Sequence, residues 1–181
     1  MGKEIEVKIK IEDPGDFSRQ LQSLNPEVLT DRHFEDNHLL DYSDRGLRSR
    51  HCMIRVRQAG QRSVLTFKGP PEDSEIFKIR EEIETELADG AKTIRILERL
   101  GLSVWFRYQK YRSEYTLNDV IVAVDETPIG NYIELEGETS CIYDLADQLK
   151  IEASRFVKDS YYILYLNACR LKGISPKNMV F

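Results

Sequence analysis

Residues 4–11 read Glu-Ile-Glu-Val-Lys-Ile-Lys-Ile, with charged and aliphatic side chains in strict alternation. Because successive side chains of a β-strand point to opposite faces, this stretch predicts a strand with one apolar and one charged face. Glu4, Glu6 and Lys8 share the charged face. Side chains two residues apart on one face lie roughly 6–7 Å from each other, so like charges there repel. Such a strand is either a solvated sheet face or one wall of a charged site.

The same alternation recurs along the chain. The predicted strands are residues 4–11, 34–41, 52–58, 63–68, 76–87, 107–117, 120–126 and 131–137. Turn segments such as Ala59-Gly60-Gln61 and Asn118-Asp119 separate several of them, which indicates β-hairpins. Eight strands joined mostly as hairpins predict one antiparallel sheet that is large enough to curl or close.

Four further segments have the apolar spacing of amphipathic helices. They are predicted to begin near Pro14, Gly90, Ser140 and Ser160. Ser140 is expected to act as an N-cap, since its hydroxyl can accept a hydrogen bond from the first turn of the helix. No repeat or linker interrupts the chain, so one domain is expected.

The polar faces of the predicted strands carry two sets of charged residues. The basic set is Lys8, Arg55, Arg57, Lys68, Arg80, Lys110 and Arg112. The acidic set is Glu4, Glu6, Glu82, Glu84, Asp125, Glu134 and Glu136. Arginines bind phosphate oxygens by bidentate contact and lysines bind them as point charges. Paired carboxylates suit a hard divalent cation such as Mg²⁺.

Two arrangements accommodate these charges. An antiparallel sheet commonly packs one face and exposes the other, so the charged faces could simply be solvated. In the inverted arrangement, the charged faces line a central channel and the amphipathic helices cover the apolar faces from outside. The inverted arrangement fits better, because charges recur on most strands and few Ser, Thr or Gln residues stand among them.

Composition narrows the class of protein. The 181 residues are 41% hydrophobic and 31% charged, which is typical of a globular domain. The formal net charge of −5 argues against a general nucleic-acid binder. No window is apolar enough for a signal peptide or a membrane span, and three scattered cysteines form no zinc pattern. We expect a cytoplasmic protein with reduced thiols and neither nucleic acid nor membrane as a partner.

Other candidate motifs carry less weight. The three histidines lack the spacing of a metal site. The tyrosines that open the last predicted helix, Tyr161, Tyr162 and Tyr165, are interpreted as helix packing rather than as a base-stacking surface. Residues 175–181 either pack on the barrel or reach a partner, and both alternatives stay open.

The ordered set of charged motifs resembles the CYTH superfamily, also called the triphosphate tunnel metalloenzymes. The opening Glu4-x-Glu6-x-Lys8 is similar to its signature. The later motifs follow in order: Asp36-Asn37-His38-Leu39-Leu40-Asp41, Asp44-Arg45-Gly46-Leu47, Arg55-x-Arg57, Lys68 before Gly69-Pro70, Arg80 with Glu82-x-Glu84, Lys110-x-Arg112, Asp125, and Glu134-x-Glu136-Gly137. The resemblance covers residues 4–166. Two segments depart from the family pattern, Leu40-Asp41-Tyr42 and Lys158-Asp159-Ser160-Tyr161, so the roles of Asp41, Lys158 and Ser160 stay open.

The resemblance implies an α+β fold in which a closed eight-stranded antiparallel β-barrel forms a tunnel with helices packed outside, in one domain over residues 1–181. It implies that the basic set holds the phosphates of a triphosphate substrate. It implies further that the acidic set binds one or two Mg²⁺ or Mn²⁺ ions, either as direct ligands or as carboxylates that support the direct ligands. Glu4, Glu6 and Lys8 are the candidate catalytic residues.

The family includes several chemistries, so the activity is a ranked expectation. Metal-dependent hydrolysis of inorganic, thiamine or nucleoside triphosphate ranks first, because water is always present. Class IV adenylyl cyclase chemistry, which makes cyclic AMP and pyrophosphate from ATP, is the alternative. A non-catalytic polyphosphate- or nucleotide-binding module is the third reading. A homodimer is possible on the outer barrel wall.

Overall fold

The alternating strands close into one barrel in the computed structural model, which describes residues 2–181. The strands are β1 (Gly2–Ile11), β2 (Glu27–Tyr42), β3 (Met53–Ala59), β4 (Arg62–Lys68), β5 (Lys78–Leu87), β6 (Leu102–Leu117), β7 (Val120–Thr127) and β8 (Gly130–Glu136). Their order around the barrel is β1-β5-β4-β3-β2-β6-β7-β8, and all neighbours are antiparallel. The closed eight-stranded barrel implied by the resemblance is confirmed.

Four helices accompany the barrel. They are α1 (Pro14–Gln22), α2 (Gly90–Arg99), α3 (Thr139–Gln148) and α4 (Tyr161–Lys172). The Asp13 carboxylate caps α1, and the Ser160 hydroxyl accepts a hydrogen bond from Ile163 N at the start of α4. The prediction that Ser140 caps the third helix is wrong. That helix begins one residue earlier, after Glu138, and the extended Glu138 makes no side-chain capping bond. Among residues 2–181, none of the helices is long and apolar enough to cross a membrane.

The apolar faces of the strands point outward and are covered by helices. On one side, Val7 and Ile9 of β1 pack with Ile133 of β8 against Leu145 of α3 and Leu21 of α1, all with no solvent exposure. On another side, α2 covers the outward faces of β2, β3, β4 and β6. Burying one such aliphatic side chain stabilises the fold by about 1.5–3 kcal/mol. The charged faces are thereby left for the barrel interior, as the inverted arrangement requires.

Two strands are longer than alternation predicts. β2 begins at Glu27 instead of residue 34. The prediction missed its first part because residues 27–32 are exposed on both faces and show no alternation of apolar and polar side chains. β6 begins at Leu102 instead of residue 107. A β-bulge at Trp105, between the pairs Leu39↔Phe106 and Leu40↔Val104, breaks its period of two. The sequence signal is lost at both places for a local reason.

The C-terminal segment packs on the barrel, which decides between the two alternatives left open for it. Met179 N donates to Arg107 O, and Gln109 N donates to Met179 O, so the segment pairs with the part of β6 that extends beyond β7. Met179 is 1% exposed, within an aromatic cluster formed by β6, β8 and α4. The segment thus covers an edge that would otherwise present unpaired backbone groups.

Candidate active site

The barrel encloses a cavity of about 820 Å³. This volume lies within the range of small-molecule sites. All seven residues of the basic set line it, and so do all residues of the acidic set except Asp125. Asp125 lies directly behind the wall, with no solvent exposure. The structure therefore brings together residues that are spread over 133 positions of the chain, from Glu4 to Glu136.

Asp125 of β7 is the centre of the most tightly bonded group. Arg112 of β6 donates to both of its oxygens, through Nε at 2.7 Å and through the second guanidinium nitrogen at 2.6 Å. Lys110 Nζ and the Tyr161 hydroxyl donate to Oδ2 at 2.9 and 2.6 Å. Each carboxylate oxygen is thus already satisfied by the protein. These contacts indicate that Asp125 positions two cations of the basic set.

Lys8 of β1 lies between two carboxylates. Its Nζ is 2.9 Å from Glu6 Oε1 and 3.4 Å from Glu134 Oε1. Burial favours neutral lysine, but Glu134 and Glu6 outweigh it and raise the pKa of Lys8 above its usual range. Burial by itself would raise the pKa of Glu134, but the charges of Lys8 and Arg112 outweigh burial and hold this pKa well below its usual value. Lys8 is therefore a permanent cation inside the cavity.

Arg55 and Arg57 of β3 face the end of β5. Arg55 is 3.2 Å from Glu84 Oε1 and donates to the Thr66 hydroxyl at 3.1 Å. Arg57 is 3.5 Å from Glu35 and 3.7 Å from Glu84. The contacts of Arg57 are long and therefore weak, so its guanidinium can turn to a closer hydrogen-bond acceptor with little loss of interaction energy.

Carboxylates gather around Lys68 of β4. Lys68 Nζ lies 2.6 Å from Glu4 Oε2 and 3.1 Å from Glu82 Oε2. Burial and the charge of Glu4 raise the pKa of Glu82 to about 7 although Lys68 opposes them. Burial and the charges of Glu4, Glu6 and Glu82 raise the pKa of Glu136 to about 7 in the same way. Burial and the neighbouring carboxylates together therefore outweigh Lys68 and favour the protonated form of both groups.

Arg80 of β5 differs from the other cations because backbone carbonyls hold it. Its Nε donates to Gly69 O at 2.7 Å, and a guanidinium nitrogen donates to His51 O at 2.6 Å. Within residues 2–181, no carboxylate forms a salt bridge with it. Arg80 therefore keeps its charge available to the cavity while it ties together the two loops that precede β3 and β5.

Three residues that contact members of the basic or acidic set were not among the predicted site residues. Lys78 donates to Glu6 at 2.6 Å and has the same strand parity as Arg80, so the alternation could have found it. Glu35 is 1% exposed and lies near Lys110 and Arg57; burial would raise its pKa, but Lys110 holds it well below the usual value. Tyr161 belongs to a helix and carries no charge, so no strand pattern pointed to it.

The two segments that depart from the family pattern have structural roles. Asp41 accepts hydrogen bonds from the backbone N–H groups of Leu47 and Arg48, and it forms a salt bridge with Arg48 Nε at 2.7 Å. It thereby fixes the turn after β2. Lys158 and Ser160 both line the cavity. Lys158 donates to Ser74 O at 2.7 Å, and Ser160 also caps α4.

The tyrosine cluster packs as predicted, with one addition. Tyr161, Tyr165 and the half-buried Tyr162 belong to the aromatic cluster around Phe106. Burial and the charges of Asp125 and Glu134 raise the pKa of Tyr161 well above its usual range, so its hydroxyl remains a donor.

Comparison with known proteins agrees with this geometry. The family model described as the CYTH domain matches residues 2–160. The chain belongs to the CYTH family. A Methanocaldococcus jannaschii protein named "Putative adenylate cyclase" is 28% identical in an alignment 169 residues long, which covers 87% of this chain and 95% of that protein.

Several solved structures share the fold of this chain over most of their length. A Pyrococcus furiosus protein described as a conserved hypothetical protein is 25% identical, with a TM-score of 0.75 over 89% of this chain and 99% of its own. A Vibrio parahaemolyticus "putative adenylate cyclase" is 18% identical, with a TM-score of 0.78 over 89% and 96%. A Hippeastrum protein, "putative adenylyl cyclase HpAC1", is 21% identical, with a TM-score of 0.64 over 96% and 97%. The likeness to the last two is one of fold.

Proposed function

We propose that this CYTH protein is a divalent-metal-dependent enzyme that binds a triphosphate in the barrel cavity and hydrolyses it. The observation that carries the proposal is the basic set, seven cations from five strands that converge on one cavity of about 820 Å³. A triphosphate carries about four negative charges near neutral pH, and its transfer chemistry depends mainly on positioning and charge neutralisation. A closed wall of lysines and arginines supplies both.

Exchange of anions explains how the cavity can hold its own charges and still bind substrate. A buried cation that loses its partner is strongly destabilised, so the carboxylates that contact Lys8, Arg55 and Arg112 keep these cations charged and in place. Phosphate oxygens are acceptors of the same kind. They can replace a carboxylate without leaving any cation unpaired, and the displaced carboxylates become available to a metal ion.

The carboxylates around Lys68 fit a divalent cation. Glu4, Glu82 and Glu136 contribute hard oxygen donors. Burial, together with the charge of neighbouring carboxylates, raises the pKa of Glu82 and of Glu136 to about 7, and a bound cation would favour the charged form of both. Among residues 2–181, no three acidic, histidine or cysteine side chains already form a metal-binding group. We propose that Glu4 and Glu136 hold Mg²⁺ or Mn²⁺ together with Glu6 or Glu82, and that binding draws them together.

The bound cation would supply charge neutralisation of the phosphates and orientation of the attacking water. The chain's own residues do the rest. Arg112, Lys110 and Lys8 hold phosphate oxygens on the β6–β1 side, and Arg55 and Arg57 hold them on the β3 side. Lys8, Lys110, Arg112 and Arg55 are each at most 8% exposed, and such burial strengthens their contacts with a bound anion.

Cyclisation of ATP is the second candidate, because the M. jannaschii relative carries the name "Putative adenylate cyclase". The same cradle would then present the α-phosphorus of ATP to its ribose 3′-hydroxyl. The Hippeastrum protein, whose description reports "a dominant triphophatase activity", indicates that a cyclase name and hydrolysis occur together in this fold. Hydrolysis ranks first for this chain because water is always present, whereas cyclisation needs one specific pose of the nucleotide.

One assay panel tests the proposal. Tripolyphosphate, thiamine triphosphate and ATP are each incubated with Mg²⁺ or Mn²⁺, and phosphate, pyrophosphate and cyclic AMP are measured. Metal-dependent release of phosphate is the expected result. Cyclic AMP with equimolar pyrophosphate would establish the cyclase instead. Tight triphosphate binding without any turnover would leave only a binding module.

A further inference from the structure

Tyr161 connects helix α4 to the cation cradle. It is the first residue of α4, it is 6% exposed, and its hydroxyl donates to Asp125 Oδ2 at 2.6 Å. Oδ2 is the same oxygen that accepts from Lys110 and Arg112. The tyrosine thus completes the set of donors that holds one carboxylate oxygen between two phosphate-binding candidates.

The ring of Tyr161 contacts the cradle a second time. Lys8 Nζ and Lys110 Nζ lie 5.4 and 5.2 Å from its centroid, within the distance at which an aromatic ring attracts a cation. Tyr132 meets the ring edge-on at 5.7 Å, and Tyr108 lies 6.1 Å away. These neighbours hold the ring in one orientation, so its place relative to the two ammonium groups is fixed.

We propose that Tyr161 is a positioning residue for triphosphate binding. Its hydroxyl holds Asp125, and through Asp125 the Arg112 and Lys110 side chains, while its ring fixes the ammonium groups of Lys8 and Lys110. The proposal rests on the function proposed above and assigns a substrate-affinity role to the first residue of α4. Without the hydroxyl, Oδ2 is shared by two cations alone. They then bind Asp125 more closely and are less available to phosphate oxygens.

Two substitutions separate the hydroxyl from the ring. Tyr161→Phe keeps the ring beside the ammonium groups and removes the donor to Asp125. Tyr161→Leu removes both. Tyr165→Phe is the matched control, since Tyr165 lies one turn later on the same helix in the same aromatic cluster. Its hydroxyl contacts Asn178 O and Lys177 N, both at 3.1 Å, and not the cradle.

The test is calorimetric titration of tripolyphosphate into the full chain in EDTA, followed by steady-state kinetics with metal on whichever triphosphate the wild type turns over. Tyr161→Phe is expected to weaken binding about tenfold, near the lower limit for losing a hydrogen bond to a charged group. Tyr161→Leu should weaken it further. KM should rise in parallel with little change in kcat, which a general loss of folding would not produce. Tyr165→Phe should match the wild type in Kd.

Each contrary outcome has a distinct meaning. Unchanged Kd and KM in Tyr161→Phe, or equal weakening in Tyr165→Phe, would overturn the positioning role alone. Wild-type protein that neither binds nor turns over any triphosphate would overturn the proposed function, and the positioning role with it. If Tyr161→Leu does not fold, Tyr161→Phe still decides the question, because it removes a single oxygen atom.

Discussion

Removing the Asp125 carboxylate should destabilise the protein, and a triphosphate should partly reverse the loss. Asp125 has no solvent exposure and accepts hydrogen bonds from Arg112, Lys110 and Tyr161 at 2.6–2.9 Å. Asp125→Ala leaves Arg112 and Lys110 buried beside one carboxylate fewer. Breaking a buried pair in this way costs about 3–5 kcal/mol of unfolding free energy.

The partial reversal distinguishes a binding cradle from an ordinary salt bridge. In the variant, a bound triphosphate replaces the missing anion, so it should bind more tightly than in the wild type. Ligand at 100 times its Kd stabilises a fold by about 2.7 kcal/mol. At one fixed tripolyphosphate concentration, the variant should therefore gain more stability than the wild type, and the gap between the two should narrow.

Urea denaturation in EDTA, with and without tripolyphosphate, measures both quantities. Asp36→Ala is the control, because Asp36 also forms a two-bond pair with an arginine, Arg107, but does so where that arginine is 40% exposed. An exposed pair contributes about 0–1 kcal/mol, and no ligand effect is expected there. A loss below 1 kcal/mol in Asp125→Ala, or a gap that tripolyphosphate leaves unchanged or widens, would refute the reasoning.

Four further predictions concern other parts of the chain. Glu4→Gln should lower metal-dependent turnover at least about 10- to 100-fold, as loss of groups that support a metal does, while the circular dichroism spectrum stays unchanged; wild-type rates would contradict the metal assignment. Arg57→Ala should weaken tripolyphosphate binding by about 1.5–3 kcal/mol in calorimetry, the value of a hydrogen bond to a charged group, and unchanged affinity would remove it from the cradle. In EDTA, Glu136 keeps its proton up to about pH 7 when folded but loses it near its ordinary pKa of 4.5 when unfolded. Between pH 4.5 and 7 the native state thus binds more protons than the unfolded state, so ionisation of Glu136 lowers the free energy of unfolding as the pH rises. Glu136→Gln should therefore flatten the decline of unfolding free energy over this range. A decline as steep as that of the wild type would count against the raised pKa. Met179→Ala should cost about 2–5 kcal/mol of unfolding free energy, since the side chain is 1% exposed, and a cost below 1 kcal/mol would show that the C-terminal segment contributes little.

Alternation predicted most of the barrel because a closed sheet imposes a period of two on every strand. It failed where that period is absent. Residues 27–32 are exposed to solvent on both faces of the strand. The bulge at Trp105 reverses which residues of β6 face inward and which face outward. The start of α1 was predicted correctly at Pro14, where Asp13 supplies a capping side chain. The start of α3 was missed by one residue and its cap was assigned wrongly, because no side chain caps that helix.

The site was predictable to the extent that charge and strand parity determine it. Thirteen of the fourteen residues in the basic and acidic sets line the cavity, and the fourteenth, Asp125, lies directly behind its wall. Pairing was not predictable, because which carboxylate meets which cation depends on register across strands that are far apart in sequence. Tyr161 could not be found at all, since only the packing of α4 against β6 and β8 places it beside Asp125.

The pairing of β1 with β8 has a consequence for folding kinetics. Glu6 lies opposite Glu136, so the first strand of the barrel in chain order acquires one of its two neighbours only after all other strands of the barrel have been synthesised. Contacts of such long sequence separation form slowly, because loop-closure entropy is lost before they contribute any stability. The charged face of β1 therefore stays in water until the barrel closes, and its hydration opposes aggregation before that step. Desolvation of Glu4, Glu6 and Lys8 should then belong to the last and slowest step of folding.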